Sequence, residues 1–185
     1  MKNKPLIIGL AGYAGSGKDT VRAMLEELGF NGLAFADPIR AVLRELLTSN
    51  GITDEYIDSR EFKEQIIPEL GVSYRQMAQT LGTEWGRSLH ADFWLRLAGA
   101  YIADITEHQN AMHFCISDVR FVNEAQWVKD RGGVIWRIER PSAVPVRAHR
   151  SEQEIYHFTP DLVIDNSGSL DDLRHFIADA VGDLV

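Results

Sequence analysis

Apolar positions along the chain fall into five short, almost unbroken runs separated by longer stretches of helical period. The runs predict strands over Leu6–Ala11, Leu33–Ala36, Phe114–Ser117, Val134–Ile138 and Leu162–Ile164. Short runs without alternation are what strands buried on both faces of a parallel sheet show. Between them, apolar residues recurring every three or four positions predict helices over Lys18–Leu28, Pro38–Leu47, Ser73–Arg87, Asp92–His108, Asn123–Arg131 and Leu170–Val181. Asp37-Pro38 reads as a helix N-cap followed by proline at the first helical position. "DRGGV" (Asp130–Val134) reads as a helix end, a glycine turn and a new strand. Strands alternating with helices indicate a single α/β domain with a mostly parallel, five-stranded sheet. Ligands in such sheets bind at the carboxyl ends of the strands. That rule selects Gly12–Thr20, Asp37–Arg40, Asp118–Arg120 and Asp165–Gly168. Two inserts, Thr48–Gly71 and Arg140–Gln153, carry no strand pattern.

Composition narrows the class. The chain has 185 residues, 45% hydrophobic and 25% charged, enough for one ordinary core and without the bias of disorder. A formal net charge of −8 argues against a broad nucleic-acid face but leaves room for a small phosphate pocket lined by arginines. One cysteine, Cys115, excludes an intrachain disulfide, fits a reducing cytoplasm and reads as a packing residue. The basic N-terminus resembles a signal peptide only superficially. Its apolar core spans little more than Leu6–Leu10 before glycines break it, so it reads as the first strand. No stretch has transmembrane length.

The chemistry concentrates in "IIGLAGYAGSGKDT" (Ile7–Thr20). A glycine-rich turn between a buried strand and a helix lets the backbone N–H groups of Gly12, Ala14, Gly15, Ser16 and Gly17 converge on phosphate oxygens. The helix N-terminus adds partial positive charge and Lys18 a full one. The position after the lysine, where a hydroxyl is usual, holds Asp19, and Thr20 follows one residue late. A carboxylate is favoured in a first helical turn but unfavourable beside a triphosphate. A divalent cation resolves the conflict: Thr20 supplies a hydroxyl ligand and Asp19 holds the cation's waters. The other reading has Asp19 facing the acceptor.

This loop resembles that of nucleoside monophosphate kinases, where lysine is followed by one residue and then Ser or Thr. The aspartate variant is similar to that of bacteriophage-type deoxynucleoside monophosphate kinases and of animal phosphomevalonate kinases. "LGTEWGRSLHADFWL" (Leu81–Leu95), "ISDVRFVNEA" (Ile116–Ala125), "GGVIWRIERP" (Gly132–Pro141) and "RSEQEIYHFTPDLVIDNSGSLDDL" (Arg150–Leu173) extend the phage-type resemblance over nearly the whole chain. It implies a three-layer α/β/α P-loop kinase fold, an acceptor-binding helical region at about 48–95 and an arginine-rich lid at about 140–153. It also implies ATP and Mg²⁺ as donor and metal, with a deoxynucleoside monophosphate as acceptor. Arg87 offers a fork of donors suited to a phosphate. The resemblance places it, with Asp92, on the acceptor side. Arg40 is a candidate for the acceptor phosphate, and Asp37 for the same site or for a helix cap. Trp94, like Trp85, is a stacking platform for a base or else core. Asp118 is a candidate for the magnesium shell, and Arg120 for the acceptor phosphate or the transferring group. A mutual salt bridge between Asp118 and Arg120 is the plainer reading. In the lid, Arg147 and Arg150 (Arg140 less so) are candidates for stabilising the transferring group. Asn166 and Gly168 resemble a loop beside the donor's adenine; the local alternative is an Asx-type turn with a cap at Ser169. His149 and His157 lack the companions of a zinc site. Family members pair as homodimers in some cases. Rival functions are a dephospho-coenzyme A kinase, a phosphomevalonate-type kinase and a nucleotide-dependent switch; no Asn-Lys-x-Asp guanine-reading motif supports the last.

Overall fold

A computed structural model describes residues 5–59, 61–141 and 154–184. They form two compact units. One runs from the start of the chain to Ala34 and resumes at Ala98; the other is Phe35–Leu97.

The first unit is built on five strands: β1 (Leu6–Ala11), β2 (Asn31–Leu33), β5 (His113–Ile116), β6 (Val134–Glu139) and β7 (Leu162–Asp165). Their order is β2-β5-β1-β6-β7, with every pairing parallel. β1 is therefore central, and Ile7, Ile8, Leu10 and Ala11 are fully buried. On one face, Ile8, Leu10, Cys115, Trp136, Ile138 and Ile164 form a core with Val21 and Leu25 of α1 (Lys18–Glu27) and Leu173 and Ile177 of α8 (Leu170–Gly182). Each such side chain contributes about 1.5–3 kcal/mol on burial. On the other face α7 (Val122–Asp130) packs against β1 and β6. Packing on this face is close at Gly9, where a Cβ would lie 2.8 Å from Ile135 Cδ1, 2.9 Å from Val119 Cγ2 and 3.4 Å from Val128 Cγ2 of α7. Helix, sheet and helix make the three layers expected.

The second predicted strand starts earlier than its apolar run. The ladder of β2 to β5 spans Asn31–Leu33, and Ala34 and Phe35 are buried beyond its end. Apolar runs report burial, whereas a strand needs a backbone partner.

The second unit is mostly helical. α2 (Asp37–Thr48) buries Ile39, Leu43 and Leu47, one stripe at four-residue spacing. Its N-cap is Ala36, one residue before the predicted Asp37. The mixed-charge insert holds α3 (Glu55–Asp58), and Arg44 forks onto Asp54 and Asp58, each at 2.5 Å. An antiparallel hairpin of β3 (Ile66–Ile67) and β4 (Val72–Ser73) spans the end of the insert, too short for any periodicity to reveal. Ser73 caps α4 (Tyr74–Gln79), its hydroxyl accepting from Gln76 N at 3.2 Å. The single helix predicted over Ser73–Arg87 then widens into a π-helix over Thr80–Gly86, followed by α5 (Arg87–Leu89). α6 (Phe93–Gln109) begins in this unit. No described helix is long and apolar enough to cross a membrane.

Candidate active site

β1 ends at Ala11, and the chain turns through Gly12, Gly15 and Gly17 with φ of 143°, 82° and 104° before entering α1. Side chains other than glycine rarely adopt such values. At Gly12 a Cβ would also overlap the Ile138 carbonyl and sit 2.7 Å from Ser16 Oγ. Gly17 is the N-cap of α1, so the N-terminus of the helix opens directly onto the loop. Ser16 N donates to Tyr13 O at 3.1 Å, closing the turn. Lys18 folds back over it, its Nζ donating to the carbonyls of Gly12 (2.7 Å) and Tyr13 (2.8 Å). Ala14 and Gly15 are exposed; the buried Ser16 hydroxyl has no hydrogen-bond partner among the described residues. Asp19 is exposed in the first turn of α1, and Thr20 beside it is half-buried. A glycine turn, a helix N-terminus and an ammonium folded over them are features that suit an anion.

Two further strand ends lie at the same edge. The turn after β5 runs along the end of β1, with Val119 N donating to Leu10 O at 3.1 Å. It carries the buried Asp118 and the half-buried Arg120. Glu124, buried in the first turn of α7, accepts from Arg120 N (2.8 Å) and Phe121 N (3.1 Å), so it starts the helix and orders the turn. After β7, Asp165 Oδ1 accepts from Ser167 N at 3.0 Å, and Ser169 caps α8 by accepting from Asp172 N. The local reading of this loop, turn plus cap, is present. The Ser169 hydroxyl and backbone N–H both donate to the Asp172 carboxylate and hold its pKa below the ordinary value. Asn166, Gly168, Ser169, Asp172 and Phe176 line an open cavity of about 290 Å³. Asn166 itself is buried, and its side chain is turned to the glycine-rich loop, Nδ2 donating to Ser16 O at 2.8 Å.

Sequence reasoning missed a cluster at the loop's second residue. Tyr13 packs on Tyr156 with ring centroids 5.4 Å apart, and the Arg137 guanidinium lies 4.6 Å from the Tyr156 centroid while its Nε donates to Glu139. Partial burial, then the charge of Glu139 and the Tyr13 hydroxyl, push the Tyr156 pKa up, with Arg137 opposing them. No spacing rule links residues 13, 137 and 156. Arg140 is exposed; Arg147 and Arg150, with His149, lie outside the described residues.

In the second unit, Asp37 and Arg40 form an exposed i,i+3 ion pair at 3.1 Å. Arg87 is half-buried just after the π-helix, and Asp92 is half-buried just before α6, its N–H donating to His90 Nδ1. Trp94 is core rather than a platform. Its indole N–H donates to Gly82 O at 2.7 Å, and its ring covers Gly86 so closely that a Cβ there would lie 2.5–2.6 Å away. Trp85, 48% exposed and edge-packed on Phe93, is the aromatic of this group that faces solvent.

A sequence profile of deoxynucleotide monophosphate kinases matches residues 54–177. The chain belongs to this family. A protein of Acanthamoeba polyphaga mimivirus that carries the same family name is 29% identical over 188 residues, covering 95% of this chain and 96% of its own. Among solved structures, the Thermus thermophilus protein TT1252 superposes with a TM-score of 0.54 at 21% identity, over 99% of this chain and 100% of its own. A sugar kinase of a Janibacter species reaches 0.50 at 13% identity, over 95% and 93%. These likenesses carry the fold, and the profile carries the chemistry: the chain is a nucleotide kinase, a phosphotransferase.

Proposed function

We propose that the kinase transfers the γ-phosphoryl group of Mg–ATP to a deoxynucleoside monophosphate, giving the diphosphate and ADP. An acceptor phosphate oxygen attacks the γ-phosphorus as the bond to the β,γ-bridging oxygen breaks, and ADP leaves with that electron pair. Little covalent work falls to the protein, so its contribution is positioning and charge neutralisation. The observation that carries this reading is Lys18 folded on the loop, its ammonium bonded to two carbonyls at 2.7 and 2.8 Å that phosphate oxygens can replace. An ammonium already beside the cradle needs little reorganisation to meet the charge developing on the donor.

The loop amides from Gly12 to Gly17 and Lys18 hold the donor phosphates. Thr20 Oγ1 and Asp19 would hold Mg²⁺, Asp19 through its waters, and the cation would supply charge neutralisation. Arg40, Arg87 and Arg120 are the candidates for the acceptor phosphate, and Asp37, Asp92 and Asp118 are the carboxylates assigned to substrate binding. Arg147 and Arg150 act on the transferring group from the lid segment. Water exclusion by the bound substrates keeps ATP from being hydrolysed.

The test is ADP formation from Mg–ATP with each deoxynucleoside monophosphate in turn, beside dephospho-coenzyme A, phosphomevalonate and no acceptor. The expected result is ADP release dependent on one or more deoxynucleotides, with the matching diphosphate appearing. Silence with all of them but turnover with another acceptor would overturn the substrate. ADP release without any acceptor would favour the switch.

A further inference from the structure

Asn166 does not make the structure around it. Asp165 makes the turn, and Ser169 with Asp172 caps α8. Its side chain is nonetheless buried and reaches 150 positions back along the chain to Ser16. Two bonds define its geometry. Its backbone N–H donates to Glu139 O at 2.8 Å, fastening it to the end of β6. Its Nδ2 donates to Ser16 O at 2.8 Å. The same nitrogen lies against the Cα of Gly17, where a Cβ would overlap it.

We infer that Asn166 is a positioning residue for phosphoryl transfer, holding the Ser16–Gly17 peptide in the orientation that aims the Gly17 N–H into the phosphate cradle. The reason is the geometry of one peptide bond. A trans peptide is planar, and its C=O and N–H point in opposite directions. Drawing the Ser16 oxygen toward Asn166 turns the Gly17 N–H to the other side of the peptide. Gly17 sits at φ 104°, and glycine alone opposes a flip of this peptide weakly. A flipped peptide would turn a carbonyl oxygen toward the phosphates in place of an amide. The Asn166 amide is a donor that reaches the outward carbonyl and closes off the alternative. This inference rests on the loop being the donor-phosphate site. It places the action of Asn166 on the donor's phosphates, through Ser16, and not on its base.

The test uses the full chain with Asn166→Ala and Asn166→Asp. The aspartate keeps the shape but offers Ser16 no donor at neutral pH. Binding of Mg–ATP, of Mg–purine riboside triphosphate, which lacks the 6-amino group, and of inorganic tripolyphosphate is measured by calorimetry. Loss of a buried hydrogen bond predicts that all three ligands weaken by the same factor, about tenfold. Amide exchange at Gly17 and Lys18 should rise while β1 stays protected. A loss seen with ATP but absent with purine riboside triphosphate and tripolyphosphate would overturn the inference in favour of a base contact. Unchanged tripolyphosphate binding would overturn it as well. Exposure of β1 together with the loop would also overturn it, by making Asn166 a residue of the whole fold. The phosphate-loop reading is checked separately: a wild-type chain that binds no triphosphate, or binds it equally after Lys18→Ala, overturns that reading and this one together. Full wild-type binding with unaffected Asn166 variants overturns this one alone.

Discussion

Lys18 folds its ammonium onto its own loop. Carbonyls of Gly12 and Tyr13 accept from it. Such bonds hold a side chain in place without tying distant elements together, so removing the ammonium should cost catalysis and spare the fold. Lys18→Ala should lower the rate of transfer by about 10²–10³, the magnitude for one preorganised electrostatic donor. Its urea midpoint should stay close to that of the parent chain. Steady-state rates and urea titrations on the same preparation check both halves. This residue was legible in the sequence because glycine spacing, lysine and a following helix form one local pattern. Trp94 was not legible. An aromatic at helical spacing reads the same whether it stacks on a base or fills the core, and only the Gly82 carbonyl at 2.7 Å and the covered Gly86 decide for the core.

Among the elements, the π-helix at Thr80–Gly86 is the departure from sequence expectation with the clearest cause. The apolar pattern over Ser73–Arg87 describes a continuous helix, and a widened turn conserves that pattern almost unchanged. What differs is the place of the Gly82 carbonyl, which accepts from Trp94, and of Gly86, which lies under its ring. Gly86→Ala should therefore destabilise the chain by about 1–3 kcal/mol, as overpacking does, even though alanine favours helices. Trp94→Phe, which keeps the ring contact and removes the N–H, leaves the Gly82 carbonyl unpaired at about 1–3 kcal/mol. Urea unfolding of the two variants measures both costs; a Gly86→Ala chain more stable than its parent would contradict the packing account. The hairpin β3–β4 was equally invisible, since two-residue strands are too short to show alternation.

For the molecule as a whole, the parallel sheet with β1 at its centre sets how the chain opens. Cys115 lies in β5 with no exposed surface, and burial pushes its thiol up to about 12 from an ordinary 9.0. The neutral thiol is therefore the form the fold favours. Its contribution to stability is fully present below pH 9 and is lost as pH rises toward 12. Thiolate is the reactive form, so at pH 8 iodoacetamide should label Cys115 only when the sheet opens. The expected result is negligible labelling of the folded protein over hours and rapid labelling in urea, with saturating Mg–ATP slowing the native-state rate further by stabilising the folded chain. Prompt labelling under native conditions would show that β5 exchanges with solvent independently of the core.

The strands, most helices and the glycine-rich loop were determined by local properties of the chain. A buried strand needs a short apolar run, a helix a repeating stripe, and an anion loop glycines at positive φ before a helix start; each is written within about a dozen neighbouring residues. Tertiary structure alone decided which atoms meet across the chain. Asn166 reaches Ser16 over 150 positions, and Tyr156 finds Tyr13 and Arg137, because β1, β6 and β7 lie side by side in the sheet. A hydrogen bond is decided within about 3 Å, and separations that small between distant residues exist only after the layers have packed.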